Sequence, residues 1–184
     1  MGAPEVLTTD RLRGERLGPR HAGALLTMFG DPRVGATMGG VWTAETVAGH
    51  AAAIDAHWSE HGFGYWMWFE RSSGKPVARG GLARTVFDGQ PELEVGWTTA
   101  PARWGEGFAT ELGQAAIDVA FGALESPDVV AFTLPHNVAS RRVMDKLGFT
   151  YEKAAPYKTF GEHVLYRLRT IAPATWEDGQ ADRS

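Results

Sequence analysis

The 184-residue chain contains no cysteine. This excludes disulfides, cysteine-rich zinc sites and a cysteine nucleophile together. No stretch approaches the roughly 18 consecutive apolar residues of a membrane span. Met1 to Arg13 lacks the apolar core of a secretory leader. A cytoplasmic protein that does not engage a membrane is therefore expected. No run of five or six like charges occurs, and the formal net charge is only -4. Both argue against a nucleic-acid partner, which a basic face would announce. Internal repeats, low-complexity tracts and domain linkers are also missing. With 43% hydrophobic and 11% aromatic residues, one core is well supplied and two full domains would be cramped. A single domain over residues 1–171 and a loose polar tail over 172–184 are expected.

The pattern along the chain alternates between the two regular periods. Val6 to Leu17 reads as a first strand, and His21 to Phe29 as a short helix stopped by Gly30-Asp31-Pro32. Thr43 is a candidate N-cap, with Trp42 and Val47 as a hydrophobic staple. Val47, Ala51, Ile54 and Trp58 follow 3.6-residue spacing in a helix that ends near His61-Gly62. Phe63 to Glu70 and Lys75 to Ala83 read as a hairpin around Ser73-Gly74. In Glu92 to Thr98, Leu93, Val95 and Trp97 face one way, and Glu92, Glu94, Gly96 and Thr98 the other. Pro101 stops that strand. Phe108 to Gly122 reads as a helix with Phe108, Leu112, Ala115 and Val119 on one stripe. Val129 to Leu134 reads as a buried strand. Asn137 to Leu147 reads as a helix ended by Gly148. Phe149 to Tyr157 and His163 to Arg169 close the chain as strands around Gly161. The order β-α-α-β-β-β-α-β-α-β-β implies an α/β fold, a mixed sheet with helices on both faces.

The run from Glu94 to Glu111 carries the chemistry. A strand enters a short loop holding Gly105 and Gly107, and the loop opens a helix. A helix start leaves up to four N–H groups unpaired and adds about half a positive charge. The glycines allow close approach and turns closed to other residues. This is a phosphate cradle. It contains no lysine, so it is not a P-loop.

Trp104-Gly105-Glu106-Gly107-Phe108-Ala109 resembles the pyrophosphate motif Q/R-x-x-G-x-G/A of the GNAT N-acetyltransferase superfamily. Trp104 stands where Gln or Arg is usual. That departure resembles the RimJ/RimL-type branch, whose loop reads W-G-x-G-Y/F-A-T-E. Asn137-Val-Ala-Ser140 with Lys146-Leu-Gly-Phe149 is similar to that branch's N-x-x-S…K-L-G-F segment. Leu7-Thr-Thr-Asp-Arg-Leu12 is similar to its opening L-x-T-x-R-L, although Gly14-Glu15 departs from the L-R-x-L usual after that opening. The resemblance spans about residues 6 to 169. It implies a GNAT fold with a splayed, mainly antiparallel sheet, acetyl-CoA as co-substrate, and no metal. It further implies that backbone groups of Trp97, Thr98 and Thr99 meet the pantetheine arm. The loop from Trp104 through Gly105, Glu106, Gly107, Phe108, Ala109 and Thr110 would hold the pyrophosphate, Asn137 would contact the pantetheine amide region, and Ser140 would sit near the sulfur. The partner would be an amine acceptor, a small molecule or a peptide N-terminus. The oligomeric state stays open, a homodimer included.

Each candidate has a plainer reading. Gly105 and Gly107 could serve only a tight turn. Asn137 could be only an N-cap, a role compatible with a ligand contact. Ser140 could bond to backbone or protonate a departing thiolate. Glu94 could lie on a solvated sheet face, as Glu92 is expected to do, or act as general base directly or through water. The aromatics Trp58, Phe63, Trp66 and Trp68 fit a core. His57 and His61 lack a third ligand. Two rival functions remain: a non-catalytic acyl-CoA-binding module and a dinucleotide-binding oxidoreductase. The second lacks its third glycine, because Thr110 stands there, and its acid, Asp128, begins a strand where the pattern wants it after one.

Overall fold

A computed structural model of the protein describes residues 2–170. Its eight strands are β1 (Val6–Thr8), β2 (Leu12–Arg16), β3 (Tyr65–Glu70), β4 (Pro76–Phe87), β5 (Gln90–Thr99), β6 (Asp128–Thr133), β7 (Thr150–Pro156) and β8 (Glu162–Arg169). Its helices are α1 (Ala22–Phe29), α2 (Pro32–Gly35), α3 (Ala44–His61), α4 (Phe108–Phe121) and α5 (Val138–Lys146). One sheet runs in the order β1-β2-β3-β4-β5-β6-β8-β7. Every neighbouring pair is antiparallel except β5–β6, which is parallel. The tail expected over residues 172–184 lies outside the described residues.

Arg79 of β4 lies against the Phe29 ring of α1, whereas a Cβ at Gly80 would meet Leu112 of α4. Successive strand residues face opposite ways, so α1 and α4 cover opposite faces of the sheet. Helix α3 packs beside α1, and α5 beside α4. The core fills the space between these layers. Trp58, Phe63, Trp66 and Trp68 are all buried in it, as their aromatic character suggested. Of the α4 stripe, Phe108, Leu112 and Val119 are buried and Ala115 is half-buried.

Several elements differ from the sequence reading. The first strand is two. Thr9 accepts from the Leu12 N–H through Oγ1 and donates its own N–H to the Leu12 carbonyl, folding β1 back on β2. The stop at Gly30-Asp31-Pro32 also starts α2: Asp31 accepts from the Arg33 N–H as N-cap, with proline in the first turn. Strand β4 runs on to Phe87 and pairs with β5 across Asp88-Gly89, where both φ values are positive, 50° and 74°. Asp-Gly between two apolar runs is a strong hairpin signal. The caps at Thr43 and Gly148 are as expected: Thr43 Oγ1 accepts from the Thr46 N–H, and Gly148 has φ 84° while Phe149 N–H reaches back to Met144 O.

Glu92 does not lie on a solvated face. Arg167 of β8 binds it through two nitrogens at 2.7 and 2.9 Å, and also reaches Asp128 of β6 and Glu152 of β7. The Glu92 side chain is only 9% exposed. One guanidinium thus ties together four strands, β5, β6, β8 and β7. Its long stem and five donors suit that role.

Candidate active site

The parallel pair β5–β6 is joined at a single position, Glu94↔Val130. Beyond it the two strands are unpaired, and the fork opens toward the ends of both strands. The Arg167 cluster clamps the closed end below this point. Ala100 N–H donates to Val77 O on β4. Antiparallel partners exchange bonds at every second residue, so Thr98 and Gly96 turn their backbone groups to β4. Trp97 and Thr99 turn theirs to the fork. Of the three residues expected to offer backbone groups, two face the gap. The Thr99 carbonyl is taken by the Trp104 indole at 2.9 Å.

At the mouth of the fork the chain passes through a short 3-10 turn, Pro101–Arg103, into the glycine loop. Gly105 and Gly107 have φ 83° and 85°. These are left-handed conformations that an L side chain enters only with strain. The first helical bond of α4 is Glu111 N–H to Gly107 O. The N–H groups of Gly105 to Thr110 therefore donate to no group among the described residues. A Cβ at Gly105 would point into open space. Six free donors at a helix start fit a pyrophosphate without further help.

The loop is held from below. Glu111 accepts from the Thr9 hydroxyl at 2.5 Å, the Arg11 N–H at 2.9 Å and Arg11 Nε at 2.7 Å. Arg11 also donates to the Glu106 carbonyl at 2.9 Å. Arg103 pairs with Glu106 and with Glu70 at the end of β3. The Arg11 and Arg103 guanidinium groups both lie over the Phe108 ring, 4.6 and 4.7 Å from its centroid. The T-x-R-L and T-E segments, a hundred residues apart, are two sides of one joint.

On the opposite wall, Asn137 caps α5. Its Oδ1 accepts from the Ser140 N–H at 3.2 Å, and its Nδ2 donates to Thr133 Oγ1 at 2.9 Å. Both amide groups are occupied, which fixes the start of α5 at the end of β6. Ser140 is half-buried one turn later, and its hydroxyl has no partner among the described residues.

Glu94 sits at the fork's hinge and is half-buried. Desolvation pushes its pKa up to about 7, against the opposing pull of Arg79, Lys158 and the Tyr65 hydroxyl. A Cβ at Gly96 would collide with the Tyr65 hydroxyl and stand 3.2 Å from Glu94 Oε1, so Gly96 gives the phenol its room. Burial and the Glu94 charge raise the Tyr65 pKa in turn. A carboxyl that titrates near neutrality is suited to take a proton. Tyr65, Arg79 and His50 were not singled out in the sequence. No local pattern marks them, because three different elements bring them together. His57 is spent structurally: Nε2 accepts from the Arg84 N–H and Nδ1 donates to Phe63 O.

Among the described residues, no helix is long and apolar enough to cross a membrane. Residues 11–150 match the acetyltransferase (GNAT) domain family. The Bacillus subtilis protein YkkB is 29% identical over 83% of this chain and 90% of its own. An Aspergillus fumigatus FsC-acetyl coenzyme A-N(2)-transacetylase is 30% identical over 81% of this chain and 66% of its own. An acetyltransferase from Agrobacterium tumefaciens superposes with TM-score 0.79 and 25% identity, covering 92% of this chain and 96% of that one. A RimL ribosomal L7/L12 α-N-protein acetyltransferase in complex with coenzyme A shares the fold at TM-score 0.73 and 14% identity, covering 90% and 98%. With the match spanning most of the described residues, this chain belongs to the GNAT acetyltransferase family.

Proposed function

We propose that the protein is an acetyl-CoA-dependent N-acetyltransferase acting on a primary amine of low pKa, by direct attack in a ternary complex. The observation that carries this reading is the placement of Glu94 on the strand that runs from the fork's hinge to the Gly105–Thr110 donors. The fungal relative's name, an acetyl coenzyme A N(2)-transacetylase, points the same way.

Acetyl-CoA would supply the activated thioester carbonyl. The donors of Gly105 to Thr110 hold its pyrophosphate, and Trp97 and Thr99 line the fork where its arm would lie. The Trp97 N–H is available to a carbonyl oxygen that gains negative charge. Glu94 takes the proton of the amine, directly or through one water, as the nitrogen–carbon bond forms and the carbon–sulfur bond breaks. The Ser140 hydroxyl is free to protonate the departing sulfur. With no cysteine in the chain, a cysteinyl-enzyme intermediate has no place.

A free α-amine has a pKa near 8, and a lysine ammonium near 10.4. At roughly 1.36 kcal/mol per unit, deprotonating the lysine costs about 3 kcal/mol more at neutral pH. A base titrating near 7 therefore suits the weaker amine. A screen of amines by release of free CoA is expected to show α-amines or other low-pKa amines outpacing lysine side chains. A lysine side chain acetylated faster than every low-pKa amine would contradict this. CoA binding without turnover on any amine would leave a binding module instead.

A further inference from the structure

Three buried side-chain atoms lack a hydrogen-bond partner among the described residues: Arg79 Nε, His50 Nε2 and Thr98 Oγ1. They belong to one place. Thr98 stands directly across from Arg79 in the β4–β5 register. The Arg79 guanidinium lies 5.2 Å from the Phe29 ring centroid, and the His50 ring 6.3 Å from the same centroid. Arg79 is only 5% exposed, and its cation is met by the faces of Phe29 and Tyr65, at 5.2 and 4.6 Å. No carboxylate among the described residues makes a salt bridge with it; Glu94, two register rows away on the same face, acts on it only at longer range. A buried cation without a contacting counter-ion is costly. Burial and the Arg79 charge together hold the His50 pKa down to about 3, so its imidazole is neutral.

All three orphaned atoms can donate a hydrogen bond, Arg79 and Thr98 always and His50 in the Nε2–H tautomer. A carboxylate only accepts. Water would satisfy the donors but leave the cation with only the non-contacting Glu94 carboxylate to balance it. The same sheet face carries Tyr65 in the next register row and Glu94 in the row beyond, so a cation site and an anion site stand on either side of one phenol ring. From Thr98 to Glu94 is four residues, about 13 Å at ~3.3 Å per residue.

We propose that Arg79, His50 and Thr98 form a carboxylate subsite, and that the acceptor is a primary amine that also carries a carboxylate. Glu94 receives the amine end and Arg79 the acid end. This rests on the acetyltransferase reading for the amine and on the orphaned donors for the acid. The register distance favours an amine and acid separated by several bonds.

The test uses diglycine, triglycine and tetraglycine, whose α-amines have pKa values near 8, each paired with its C-terminal amide. At least one acid is expected to exceed its amide in kcat/KM by about 10- to 100-fold, the scale of a charge-assisted hydrogen bond. In the short members the amide also has the lower amine pKa, which works against the expected result. Arg79→Gln should bring that ratio close to one. A second measurement needs neither turnover nor a folded variant. The Nε–H resonance of Arg79 in the wild-type protein alone should shift with triglycine and not with its C-terminal amide or with chloride. Equal rates for acids and amides, a ratio unchanged in Arg79→Gln, or a resonance indifferent to the acid or shifted alike by chloride would overturn the subsite. Free CoA released equally from acids and amides would overturn it while leaving the acetyltransferase reading intact.

Discussion

Glu94→Gln is expected to lower kcat by about 10²–10⁴-fold, the usual contribution of a general base, while acetyl-CoA affinity changes little. The wild-type kcat/KM should climb with pH and bend near 7, where the Glu94 carboxyl loses its proton. The variant should lack that bend and recover part of its deficit at high pH, where free amine is abundant. Stability gives an independent reading. The folded pKa of Glu94 lies above its unfolded value of about 4.3, so the protonated form favours folding. That contribution is fully present below pH ~4.3 and is lost as the pH rises through about 7. Glutamine does not ionise, so Glu94→Gln should gain thermal stability over wild type at pH 8 relative to pH 5. Wild-type kcat across pH 6 to 9 would remove Glu94 from the mechanism.

Gly107→Val is expected to weaken acetyl-CoA binding by at least about 100-fold and leave the domain folded. The residue is exposed, and a Cβ there would meet only Arg11 Nη2, at 3.5 Å. Space is therefore not the obstacle. The obstacle is φ 85°, which a β-branched residue adopts only as an outlier. Valine would turn the peptide and re-aim the N–H groups that start α4. Calorimetric titration with acetyl-CoA, beside circular dichroism of the variant, checks both halves. Unchanged affinity would mean that the pyrophosphate is held elsewhere.

Elements marked by local chemistry were legible in the sequence. The Thr43 cap, the Gly148 terminus and the strand–loop–helix around Gly105 and Gly107 follow from rules acting within a few residues. Two local signals were passed over. Asp31-Pro32 both ended α1 and began α2, and Asp88-Gly89 announced the β4–β5 turn. Contacts between distant segments were not legible. Nothing near Glu92 points to Arg167, and nothing near Glu111 points to Thr9 and Arg11. Glu94 was found because it alternates with Gly96 and Thr98 on a strand entering the loop. Its unusual titration depends on Tyr65, Arg79 and burial, which only the assembled sheet supplies.

The most direct test of the account is thermal unfolding of the wild-type protein with acetyl-CoA and, separately, with NAD. A ligand at about a hundredfold its Kd adds roughly 2.7 kcal/mol to the native state. For a domain of this size, at roughly 2–4 °C per kcal/mol, that is a rise in Tm of about 5–10 °C. Such a rise with acetyl-CoA, and none with NAD, is expected. No rise with acetyl-CoA or CoA at saturating concentration, or an equal rise with NAD, would contradict the assignment of the Gly105–Thr110 loop as a coenzyme A cradle.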